Sequence, residues 1–191
     1  MTAPVAKDYP GTMASGWWKR YCAPDTGDPA TRARLKRCGS FTEALGVPAA
    51  ILLARQLGAL KDVGDRRLES ALGLARVLAN ISADDIRPPM RAAGWPSFPG
   101  DKREADVDGS QRPRLSELRF RRLLQTGGGE EQVTAFVRLI RLLGGQVNVA
   151  ALARDYLNWD RDTTKHRWAF DYYAASTAAP ATVLSTMETE A

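Results

Sequence analysis

The chain has 191 residues, of which 44% are hydrophobic and 26% charged, and its formal net charge is +5. Its isoelectric point near 9.5 favours an anionic partner, with nucleic acid ahead of a membrane surface. No apolar stretch reaches the roughly 18 residues that a transmembrane helix needs, so an integral helical membrane protein is excluded and one domain or two small ones are expected.

The termini and the cysteines predict a cytoplasmic protein. Residues 1–16 contain no apolar core of a secretory signal. Cys22 and Cys38 are the only cysteines, and their isolation is typical of reduced thiols inside the cell. Neither CxxC nor HExxH spacing is present, so the sequence predicts no metal site and no other cofactor.

The first part of the chain predicts a flexible lead-in over residues 1–15 and an N-terminal helical subdomain over 16–81. Trp17 and Trp18 begin a short amphipathic helix, which Ser15 is predicted to cap. We expect the two indoles to dock in the core, although stacking on nucleic-acid bases is an alternative.

Asp28 and Pro29 predict the start of a second helix, since aspartate favours the cap and proline the first turn. This helix carries Arg34, Lys36 and Arg37. The basic residues are either a solvated helix face or a patch that contacts phosphates, and the pattern alone leaves both interpretations open.

Two more helices complete the N-terminal set. One begins at Pro48 and is apolar on more than one side, and the next has an apolar stripe at helical spacing from Leu68 to Ala79. Four prolines and a charged stretch then interrupt the pattern over residues 82–111, which predicts a long loop or interdomain linker.

Residues 112–176 predict a C-terminal helical bundle and carry most of the net positive charge. In the helix after Ser116, its predicted cap, the apolar residues Phe120, Leu123 and Leu124 share one face. The arc on the other side holds Arg119, Arg121 and Arg122.

Three further helices are predicted in this bundle. The first places Arg138 and Arg141 at i, i+3, so the two arginines form a basic stripe. Asn148 is the predicted cap of the second, and the third begins near Asp162 and carries Lys165 in its first turns. Residues 177–191 are predicted to form a frayed C-terminal tail.

No segment alternates apolar and polar residues with the period of two that a half-buried strand requires. The predicted architecture is therefore all-α, with about eight helices in an N-terminal set and a C-terminal bundle. Arginines spread over several helices of such a bundle fit a groove that follows a phosphate backbone, because the planar guanidinium can bond phosphate through two N–H groups.

One pattern suggests an enzyme instead. Arg161 and His166 have the R-x4-H spacing of the HEPN ribonucleases, and His166 is the only histidine, so it would have to perform any imidazole acid–base step. The structural interpretation of His166 is a partly buried side chain that packs with Phe170 and Tyr173, which follow at i+4 and i+7.

The ordered set of segments resembles CasB, the small-subunit family of the type I-E CRISPR surveillance complex, Cascade. The resemblance rests on the Trp-bearing first helix, the basic segment that ends at Arg37, the block from Leu115 to Leu124, the helix from Val133 to Leu143, and the segment from Val147 to Trp159 with the basic turn and aromatic helix after it.

This resemblance implies a non-enzymatic, all-helical subunit that stabilises an R-loop. In that family two copies of the subunit lie head to tail and contact the CasC backbone and the large subunit CasA. Basic surface residues support the duplex of guide crRNA and target DNA and hold the displaced DNA strand. Carried over to this sequence, the resemblance implies contacts from Arg37, Arg119, Arg138, Arg141, Arg161 and Lys165.

Overall fold

The computed structural model describes residues 9–60, 66–94 and 113–174. Within these ranges the chain forms ten helices and one small sheet, which confirms the all-α class and adds to the eight helices expected. The helices are α1 (Tyr9–Tyr21), α2 (Pro29–Arg37), α3 (Phe41–Leu45), α4 (Pro48–Gln56), α5 (Arg66–Leu78), α6 (Pro89–Ala93), α7 (Glu117–Gln125), α8 (Glu130–Leu142), α9 (Val149–Leu157) and α10 (Asp162–Ala174). The strands β1 (Ala83–Asp84) and β2 (Gln146–Val147) pair in parallel. None of the described helices is long and apolar enough to cross a membrane.

Helix α1 begins at Tyr9, before the predicted start at Gly16. Residues 9–15, expected to be flexible, are therefore helical, whereas residues 1–8 lie outside the described part of the chain. Gly11 and Ala14 are buried in α1, and this helix packs extensively against α9. Burial against a partner helix stabilises a segment whose own helix propensity is low, which is why local composition did not predict it.

The tandem tryptophans dock in the core, as predicted. Trp17 is 2% exposed and Trp18 is 4% exposed. The Trp17 indole Nε1 donates a hydrogen bond to the Ala49 carbonyl at 2.8 Å, which joins α1 to the first turn of α4. This burial excludes base stacking on either ring.

Helix α2 is fixed at its start by Asp28, the predicted cap. The carboxylate accepts hydrogen bonds from the amides of Ala30 at 3.0 Å and Thr31 at 3.2 Å, and the Thr31 hydroxyl contributes most to holding the pKa of Asp28 below its ordinary value. Arg32 then donates to the carbonyls of Ala79 and Ile81, both at 3.2 Å. These bonds anchor α2 at the C-terminal end of α5 and so orient its other basic residues.

Both cysteines are free thiols. Cys22 is buried at the end of α1, and burial raises the pKa of its thiol to about 12. Cys38 is partly buried and donates its S–H to the Arg34 carbonyl at 3.3 Å. Burial raises the pKa of Cys38 as well, and a thiol with a raised pKa is a poor nucleophile.

The described part of the predicted linker, residues 82–94, contains β1 and α6. The Asp84 carboxylate accepts from the Val149 amide at 2.9 Å, and Arg91 forms an ion pair with Asp171 of α10 at 3.3 Å. A two-residue strand and a five-residue helix are too short to show a period, so the sequence pattern could not predict them. The remainder of this segment, residues 95–111, lies outside the described residues.

Helices from both predicted halves share one hydrophobic core. Helix α1 packs against α9, and α5 packs against both α8 and α9. An aromatic cluster of Phe136, Tyr156, Trp159 and Trp168 occupies the C-terminal part of this core. The division into subdomains 16–81 and 112–176 stays a prediction.

Gly73 marks the closest approach of α5 to its neighbours. A Cβ atom at this position would overlap the Tyr156 hydroxyl and lie 2.9 Å from Val133 Cγ2. We expect Gly73→Ala to destabilise the fold by about 1–3 kcal/mol, because overpacking outweighs alanine's better helix propensity. Urea denaturation measures the change.

Gly16 of α1 provides the matched control for this substitution. A Cβ atom there would meet no atom within 4 Å, so Gly16→Ala is expected to stabilise the protein by roughly 0.5–1 kcal/mol. Equal effects of the two substitutions would contradict the close packing at Gly73.

Candidate nucleic-acid interface

Helix α7 separates its apolar and basic residues as the sequence predicts. Phe120 and Leu123 are buried, and the Phe120 ring stacks on Tyr172 with 4.1 Å between ring centroids. This packing leaves Arg119, Arg121 and Arg122 exposed on the outer side.

Four of the predicted arginines line one groove between α7 and α8. Arg119 and Arg122 come from α7, and Arg138 and Arg141 come from α8. The groove has a volume of about 1010 Å³, and Leu123 and Leu139 contribute to its apolar wall. We call it the α7–α8 groove.

Two acidic residues also line the α7–α8 groove, Glu130 and Glu131. Both Glu130 oxygens accept from Arg76 Nη1 at 2.7 Å, so the charge of this carboxylate is largely compensated within the protein. Arg76 is 7% exposed and lies over the Phe41 ring, with 5.7 Å to the centroid. Glu131 offsets one of the four arginines, so the groove keeps an excess of positive charge.

Sequence reasoning missed the role of Arg76. The sequence gives one indication of this role, which is that Arg76 is a charged residue within the apolar stripe of α5. Every residue from Ala71 to Leu78 is buried in that helix. A buried arginine requires an anionic partner, but nothing local indicates that Glu130, more than fifty residues later, supplies it.

Lys36 of α2, another predicted binding residue, does not line the α7–α8 groove. Burial lowers the pKa of Lys36, and the neighbouring guanidinium groups of Arg32 and Arg141 lower it further. Since Arg141 also lines the α7–α8 groove, the positive charge of Lys36 adds to the electrostatic field at that groove.

Arg34, Arg37 and Arg121 are exposed but engage other groups and do not line the α7–α8 groove. Arg34 donates to the Gly46 carbonyl at 3.0 Å, and Arg37 donates to the Ala33 carbonyl at 3.1 Å. Arg121 pairs with Glu117 at 2.6 Å, and this hydrogen bond raises the pKa of the guanidinium above its ordinary value. Their predicted contacts with nucleic acid stay predictions.

Arg161 lines a different groove, with a volume of about 730 Å³. This α5–α9 groove lies between the start of α5 and the C-terminal end of α9, and Arg66, Arg67 and Trp159 also line it. Lys165 is close by, since its ammonium lies 5.6 Å from the centroid of the Trp159 ring. The ten predicted binding residues are thus distributed over at least two surfaces.

The interpretation of His166 as a partly buried residue is wrong. His166 is exposed, and Phe170 and Tyr173 are 76% and 42% exposed. Trp168 and Tyr172 instead occupy the buried face of α10 because they lie close to the opposite side of the helix from Phe170. His166 lines neither groove, so the structure does not bring it into one groove with Arg161.

Within residues 9–60, 66–94 and 113–174 there is no group of three or more His, Cys, Asp or Glu side chains that could hold a metal ion. The guanidinium groups of the α7–α8 groove can bind anions and exchange no protons near neutral pH.

A family model and a solved structure both match this chain. One chain in the crystal structure of E. coli Cascade bound to a PAM-containing dsDNA target matches at a TM-score of 0.54 and 15% identity, covering 87% of this chain and 95% of that chain. At this identity the likeness shows the fold alone. No curated protein sequence matches. The family model of the CRISPR-associated protein Cse2 matches residues 31–173, most of the chain, and the protein therefore belongs to the Cse2 family.

Proposed function

We propose that this chain is a non-catalytic small subunit of a type I-E Cascade complex and binds nucleic-acid backbone to stabilise an R-loop. The observation that carries the proposal is the convergence of Arg119, Arg122, Arg138 and Arg141 on the α7–α8 groove. Membership of the Cse2 family and the fold shared with a chain of E. coli Cascade support it.

The arginines suit a role that is independent of sequence. Each guanidinium presents a rigid fork of N–H donors that matches the oxygens of a phosphate. Contacts to phosphates fix the position of a strand and read no bases. Forming an R-loop exchanges one duplex for another of similar stability, so a few such contacts decide whether the open state persists.

The partners follow from the same proposal. The subunit contacts the guide crRNA and both strands of the target DNA, and it packs against CasC, CasA and a second copy of itself. Such a complex acts in the cytoplasm, where it meets invading DNA.

The proposal is tested by assembling the complex with and without this chain. We expect the chain to co-purify with the other type I-E subunits and the guide RNA, and its omission to shorten the lifetime of the R-loop on a matched target. Failure to co-purify, or R-loops that persist equally without it, would contradict the proposal.

The ribonuclease alternative has a separate test. We expect the purified chain to leave single-stranded RNA intact with or without divalent metal. Metal-independent cleavage that disappears in His166→Ala would show that the R-x4-H pattern is catalytic.

A further inference from the structure

The α5–α9 groove gathers basic residues that are distant in the sequence. Arg66 and Arg67 begin α5, and Arg161 immediately precedes α10. All three line the same groove, and Lys165 lies close to its Trp159 wall. The sequence pattern did not single out Arg66 or Arg67.

The acidic residues that line this groove do not pair with Arg66 or Arg161. Glu69 and Asp160 also line it. In the part of the chain that the structure describes, neither Arg66 nor Arg161 forms an ion pair with them, although both carboxylates are exposed. A guanidinium without a carboxylate partner can give its donors to an incoming anion.

The loop before α8 leaves the protein backbone accessible from this side. Gly128 and Gly129 line the groove, and a Cβ atom on either would meet no atom within 4 Å. A ligand backbone can therefore approach the main chain closely. Such an approach favours a narrow polyanion over the bulky side chains of a folded acidic protein.

The two grooves are separate sites. No residue lines both of them. On α8, Gln132 lines the α5–α9 groove, whereas Thr134 and Arg138 line the other. At 100° per residue these positions lie on different sides of the helix.

We propose that the α5–α9 groove is a second phosphate-binding site, in which Arg66 and Arg161 bind the backbone of a separate nucleic-acid strand. This inference rests on the proposed function and assigns two of its strands to separate grooves of the same chain. One chain then holds two single-stranded segments at once, one on each side of α8.

The test counts the strands bound by the purified full-length chain. Short oligothymidylate, and oligouridylate as the RNA counterpart, are titrated at low salt, and the stoichiometry is read from tryptophan fluorescence and calorimetry. We expect two oligonucleotides per chain. Arg66→Gln combined with Arg161→Gln should reduce this to one, and Arg138→Gln combined with Arg141→Gln should remove the other event.

A matched control removes two charges elsewhere. Lys19 and Arg55 are exposed and line neither groove, so their joint replacement by glutamine should leave both binding events in place. A thermal melt of each variant confirms that it is folded.

The outcomes separate this inference from the proposed function. If the variant of Arg66 and Arg161 keeps both binding events, the second site does not exist. If it loses one event while the variant of Arg138 and Arg141 loses none, the second site stands and the proposed role of the α7–α8 groove fails. Displacement of the oligonucleotide from the α5–α9 groove by polyglutamate at equal charge concentration would assign this groove to an acidic protein and overturn the inference.

Discussion

Neutralising the α7–α8 groove is expected to weaken the binding of single-stranded DNA by several hundred-fold at ~0.1 M salt. The substitutions replace with glutamine the four arginines of the groove, Arg119, Arg122, Arg138 and Arg141. Each phosphate contact on a single strand contributes about 0.7 to the slope of log K against log salt. Losing four contacts therefore lowers the slope by about three, and the affinity falls accordingly.

Affinities measured across a range of salt concentrations separate this effect from a change in fold. A change in binding that is independent of salt would point to misfolding, whereas loss of phosphate contacts must reduce the slope. We expect the same substitutions to shorten the lifetime of the R-loop, because complexes that contain the variant should release the displaced strand faster. Unchanged affinity and slope would exclude the groove as a phosphate-binding surface.

The control for this experiment removes the same total charge from other faces. It replaces four exposed basic residues that line neither groove, Lys19, Arg20, Arg55 and Arg114. Long-range attraction depends on the net charge, whereas phosphate contacts depend on where the charges lie. The control should therefore keep most of the slope of log K against log salt. Equal losses in both variants would indicate a diffuse effect of net charge.

Replacing Asp155 by asparagine is expected to cost about 3–5 kcal/mol of folding free energy, which is a large part of the stability of an ordinary domain. Asp155 is 2% exposed in α9. Its Oδ2 accepts from the Trp168 indole at 2.6 Å, and its Oδ1 accepts from Arg167 and, at 3.1 Å, from Arg154. This one carboxylate therefore ties α9 to α10.

The asparagine side chain cannot replace these bonds. Its single carbonyl oxygen can accept hydrogen bonds from the Trp168 indole or from the guanidinium groups, but not from both. Its NH₂ group then lies against another N–H donor. A buried donor is left without a partner while the charge that compensates Arg167 is lost. Trp168 also packs against Trp159 and Phe136, so its displacement would loosen the aromatic cluster.

Urea denaturation followed by tryptophan fluorescence measures this change. Asp160→Asn is the matched control, because Asp160 is exposed in the turn that follows α9 and its replacement should change the stability by no more than about 0.5 kcal/mol. Arg167→Ala should lie between the two, since half of that side chain is exposed and Asp155 keeps two donors. A loss below about 1 kcal/mol for Asp155→Asn would contradict its structural role.

Sequence patterns determined the features of this protein that depend on near neighbours. The spacing of apolar residues predicted the all-α class, and Asp28 and Asn148 were correctly identified as helix caps. The buried tryptophans and the outward face of the α7 arginines also followed from helical periodicity. These features hold because a helix obtains its hydrogen bonds, its caps and its two faces from residues within a few positions of each other.

The tertiary structure alone decided which basic residues lie together. Arg138 and Arg141 share a groove with Arg119 and Arg122, whereas Arg161 lies in another groove with Arg66 and Arg67. The tertiary structure also decided three other features: the pairing of Arg76 with Glu130, the burial of Asp155, and the packing of residues 82–94. Each depends on contacts between positions far apart in the chain, which are set by how the helices pack and leave no periodic signal in the sequence.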